Sequence, residues 1–113
     1  MVGPSSIAQE LAGAEAAWSD GNAGKARVCA RRAVALADEA WLEQQTQPAR
    51  SGDALAHLCR IQQEVSFPSS VRQAAERLTT TVPRQLTAPF TADPVGDATM
   101  IIEWLLSGGG TPS

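Results

Sequence analysis

At 113 residues with a net charge of −3 and a pI near 5.0, the chain is long enough for one hydrophobic core and carries no global basic field that would draw it onto DNA or an anionic membrane. Hydrophobic residues at 43% against 19% charged exclude a disordered chain, and the tyrosine-free, alanine-rich composition favours helices over sheets. The expected class is all-α, a single domain over 1–113 built as an antiparallel up-and-down bundle of about five helices. Segments 1–5 and 107–113 are expected to be flexible. No apolar run reaches transmembrane length, and the first residues lack the basic and apolar regions of a signal peptide, so a cytoplasmic location is expected. Cys29 and Cys59 have apolar helical neighbours and no His or Cys close by. They read as reduced core residues, and no metal or cofactor is expected.

Ser6 with Gln9 reads as a capping box, and Ile7, Leu11, Ala14 and Trp18 recur on one stripe, predicting a first helix over 6–19. The connection Asp20-Gly21-Asn22-Ala23-Gly24 is short and turn-rich, so the first two helices are expected to pair as an antiparallel hairpin. The second helix, from Lys25 to about Gln47, has no Gly or Pro inside it and is the expected spine of the fold. Ala26, Cys29, Ala30, Ala33, Leu36, Ala37, Ala40 and Trp41 share its core face, where the small side chains let neighbouring backbones come close. After a loop from Pro48 to Gly52, a third helix capped by Ser51 or Asp53 runs to about Val65. It is expected to bury Ala54, Leu55, Leu58, Ile61 and Val65, with Arg60 and Glu64 facing away. Ser69 or Ser70 caps a short fourth helix with Val71, Ala74, Ala75 and Leu78 inside. The stretch from Thr79 to Thr91 holds Pro83 and Pro89 and reads as an ordered loop anchored by Leu86 and Phe90. Asp93 as N-cap and Pro94 as first residue open a fifth helix that buries Val95, Ala98, Ile101, Ile102 and Leu105 before Ser107.

His57, the one histidine, falls beside the core face of the third helix, with Asp53 and Arg60 as its neighbours on that helix. Acid–base catalysis would need a carboxylate or a nucleophile placed against it by the fold, so the residues assign it a structural or capping role. Lys25, Arg27, Arg31 and Arg32 fill the first third of the spine and Asp38, Glu39 and Glu43 its later part, an order that opposes the helix macrodipole. Two arrangements would compensate. One pairs Arg27 to Arg31 with Glu15 and Asp20 across the hairpin; the other makes Arg27, Arg31 and Arg32 a small anion or RNA patch. Two apolar features fall outside the expected core. Val28, Ala35 and Leu42 recur on the far face of the spine, and Met100 lies with Trp104 on the far face of the fifth helix. Exposed Trp and Met are enriched at interfaces, which predicts a homodimer whose surface uses Val28, Leu42, Met100 and Trp104.

The order of these segments resembles the HEPN domain, a helical fold of prokaryotic proteins paired with minimal nucleotidyltransferases and of RNA-targeting toxins and defence systems. The resemblance runs from Ala8 to Leu106. It rests on a first helix ending in the short turn Trp18 to Gly24 and on the small-residue-rich second helix ARVCARRAVALADEAWLEQ. It rests further on a helix carrying His57-Leu58, a shorter one ending in Leu78, and the closing Ile101-Ile102-Glu103-Trp104-Leu105. It implies a bundle that partners a nucleotidyltransferase-type protein or binds a nucleotide or RNA. Catalytic members are metal-independent ribonucleases with an Arg-x4-6-His motif late in the chain. No His stands there in this sequence; Arg50 and His57 have the spacing but lie between the second and third helices. The expectation is therefore a non-catalytic binding and interaction module, with a ribonuclease using Arg50 and His57 as the alternative. Trp18-x2-Gly21-Asn22 followed by Ala26, Ala30 and Ala33 also resembles one tetratricopeptide unit, a protein-interaction repeat, with no second copy about 34 residues on.

Overall fold

The computed structural model describes residues 4–44, 54–79 and 93–107, and over them the chain is an all-α bundle of five helices. These are α1 (Pro4–Ser19), α2 (Ala23–Gln44), α3 (Ala54–Gln63), α4 (Ser69–Thr79) and α5 (Pro94–Leu106). The spine is α2, which packs against all four other helices. Alanine makes this possible: Ala26, Ala30, Ala33 and Ala37 are completely buried, and side chains this small let several helices approach one backbone. No described helix is long and apolar enough to cross a membrane.

The α1–α2 reversal follows from its residues. Gly21 adopts φ 81°, the left-handed conformation that a residue without Cβ reaches at least cost. Its N–H donates to the Trp18 carbonyl at 3.1 Å and that of Asn22 to the Ala17 carbonyl at 2.8 Å, which satisfies carbonyls the helix end would otherwise leave open. Asn22 then caps α2 by accepting from the Lys25 N–H at 3.1 Å. Beyond the turn the two helices run back along each other, with Gly13 of α1 facing the Cys29 sulfur of α2.

The C-terminal helices are joined by polar links at their edges. Arg77 of α4 holds the largely buried Asp97 of α5 with two hydrogen bonds, at 2.7 and 3.1 Å. Gln62 of α3 donates to the Thr79 hydroxyl of α4 at 2.9 Å. As the sequence predicts, Asp93 caps α5 by accepting from the Gly96 N–H at 3.0 Å, and Ala98, Ile101, Ile102 and Leu105 point inward.

Several expectations are corrected. The first helix begins at Pro4, so Ser6 lies inside it; proline suits a first turn, where its missing N–H has no partner to lose. The third helix ends at Gln63, which leaves Val65 83% exposed, and Leu55 is half-exposed rather than core. Phe67 takes the place assigned to Val65. It is 2% exposed, with its ring edge-on to Trp41 at 5.1 Å and tilted against Trp104 at 4.3 Å. Cys59 is exposed; only Cys29 is in the core. Leu42, expected on an outer face with Val28, is 1% exposed. An α-helix drifts by about 20° per heptad, and α3 packs against α2, so a row that starts in solvent at Val28 ends inside at Leu42. The loops expected at 48–52 and beyond Thr79, with the anchors Leu86 and Phe90, lie outside the described residues.

Candidate functional site

Val34, Asp38 and Leu42 follow one another at four-residue spacing along α2, and all three are completely or almost completely buried. A carboxylate in the middle of an apolar seam demands partners, and α3 brings them. His57 and Arg60, three residues apart, both turn toward it. His57 Nδ1 donates to Asp38 Oδ2 at 2.7 Å. Arg60 grips both carboxylate oxygens, with Nε on Oδ2 at 3.0 Å and Nη2 on Oδ1. The remaining amine of Arg60 donates to Glu64 at 3.2 Å, and its guanidinium carbon lies 5.3 Å from the centre of the Trp41 ring and 5.7 Å from that of Phe67. The cluster thus joins α2, α3 and the turn after α3, with a cation between aromatic walls.

The electrostatics follow from this geometry. Burial pushes the Asp38 carboxyl up, but the hydrogen bonds from His57 and Arg60 outweigh it and hold the group below its ordinary range. The bond to Asp38 raises His57 above its ordinary value against the opposing effect of burial, and the charges of Asp38 and Glu39 act in the same direction. Nε2 has no hydrogen-bond partner, and Glu39 Oε1 lies 3.5 Å from it. Imidazole and carboxylate thus form a dyad, but its surroundings are closed: His57 is 2% exposed and Asp38 0%. Such a group can hold helices in register and titrate with them. Among the described residues no set of three or more His, Cys, Asp or Glu is placed to hold a metal ion.

The other predicted site residues separate into two clefts. Val28, 43% exposed, lies with Arg31 and Arg32 in a cleft of about 390 Å³ completed by Ala54 and Leu55 of α3. Met100, 41% exposed, and the partly buried Trp104 line a broader groove of about 720 Å³ between α4 and α5. Arg27 is partly exposed on the same helix as Arg31, and Arg50 lies outside the described residues. Arg31 reaches α4 instead of the α1 carboxylates expected of it: its Nε donates to the Leu78 carbonyl, one of the last of that helix, at 2.6 Å. Reasoning along single helices missed Asp38 as the partner of His57. The signal was present, since Asp38 stands four residues from Val34 and from Leu42, a polar residue inside an apolar row.

No protein-family model, curated protein or solved structure matches the chain.

Proposed function

We propose that this protein is a non-catalytic, HEPN-like binding and interaction module rather than a ribonuclease. The observation that carries this reading is the enclosure of His57. Its Nδ1 is committed to Asp38 at 2.7 Å and the residue is 2% exposed, which disfavours direct contact with a scissile phosphate. An acid–base histidine must meet the proton it moves; this one meets the protein's own carboxylates. The remaining reading follows the family resemblance: the module partners a nucleotidyltransferase-type protein or binds a nucleotide or RNA. It forms a homodimer through the Met100 face and, with two free thiols, works in a reducing compartment such as the cytoplasm.

Incubation of the purified protein with a mixed-sequence RNA in the presence of a chelator tests the absence of catalysis. The expected result is intact RNA with wild type and with His57→Gln alike. Cleavage by wild type that His57→Gln abolishes, with the fold of the variant preserved by circular dichroism, would overturn the reading.

A further inference from the structure

The cleft between α2 and α3 combines features that the buried cluster leaves unused. Its floor is aliphatic, with Val28 43% and Leu55 39% exposed. Its rim is cationic, formed by Arg31 and Arg32. Among the described residues no carboxylate pairs with either arginine. Arg31 is turned to the Leu78 carbonyl with its Nη2 buried and without an acceptor, and both burial and the charge of Arg27 press against its protonation, so Arg32 is the cation that the rim exposes. The result is a local positive site with an apolar floor on a protein of net charge −3.

We infer that this cleft docks an acidic peptide segment of a partner protein, with a carboxylate on Arg32 at the rim and an adjoining aliphatic side chain against Val28 and Leu55. Charge complementarity selects the anion, and the apolar floor selects what stands beside it. Among the described residues of the cleft none carries an aromatic ring on which a nucleobase could stack, which favours a peptide over single-stranded RNA. The inference rests on the binding-module reading and names the chemistry of the partner.

Fluorescence anisotropy with a labelled short peptide of alternating glutamate and leucine tests it, using the full-length chain. Wild type is expected to bind saturably, with affinity falling as salt is raised. Arg32→Glu replaces an exposed cation by an anion and is expected to weaken binding by about tenfold or more. Leu55→Ser should weaken it as well, and so should glutamine in place of glutamate in the peptide. Circular dichroism of both variants shows that the bundle is intact. No binding by wild type, or unchanged binding by Arg32→Glu, overturns the inference. Tighter, Arg32-dependent binding of a labelled oligoribonucleotide also overturns it, in favour of a nucleic-acid site. The non-catalytic reading stands or falls separately, on RNA cleavage through His57.

Discussion

His57 Nδ1 and Asp38 Oδ2 stand 2.7 Å apart across the packing of α2 on α3, joining residues nineteen positions apart in the chain. Asp38 is the hub, because Arg60 binds the same carboxylate. Asp38→Asn removes the buried charge that His57 and Arg60 share and leaves Arg60 only the more exposed Glu64, which is expected to cost about 3 kcal/mol of stability. Replacing Asp38 and His57 by leucine and Arg60 by methionine together should cost less than the single change, since an apolar seam needs no ion pair. Urea denaturation of the three proteins decides it. A triple variant weaker than Asp38→Asn would show that the cluster stabilises beyond the mutual neutralisation of its charges.

The same pair sets a pH window. Asp38 is held below its ordinary value of 3.8, so its contribution is present above that pH and is lost as pH falls through the lowered value of the folded state. His57 is raised above 6.5, so its contribution is complete below that pH and is lost as pH rises through the raised value. Stability from the pair is therefore expected to be greatest between roughly pH 4 and pH 6.5 and to decline on both sides. Thermal melts from pH 3 to 9 measure it. His57→Gln should flatten the alkaline decline and also shrink the acid one, because the imidazole supplies the largest of the effects that hold Asp38 low; an unchanged alkaline decline in that variant would mean that other groups cause it.

Trp104 and Met100 separate two roles that neighbouring positions on one helix suggest are shared. The ring of Trp104 packs at 4.3 Å on Phe67 of its own chain, whereas Met100 is 41% exposed. Trp104→Glu is expected to lower stability by about 2–3 kcal/mol through lost packing, whatever the assembly state. Met100→Glu should leave the stability of the monomer within about 0.5 kcal/mol and shift the proposed homodimer toward monomer. Sedimentation at several concentrations, beside urea denaturation, reads both quantities. A wild type that stays monomeric at high concentration removes the Met100 face as a dimer seam.

The class, the number of helices, the spine and the start of α5 were all legible along the chain, because each depends on local chemistry. Period, caps and breakers act within a few residues: Gly21 turns the hairpin, Asp93 with Pro94 opens α5, and the alanines of α2 mark the helix others approach. The site was legible only in part. His57 stood out as the one histidine, but its partner lies on another helix, and a single-helix reading left Arg60 facing solvent and Asp38 as one more charge on the spine. Only the packing of α3 on α2 made those charges a buried cluster, turned Leu42 inward, and set Arg31 on the end of α4. The physical reason is range: propensity and periodicity are properties of one segment, whereas the burial of a charge and the identity of its counter-ion belong to two segments that meet only when the chain has folded.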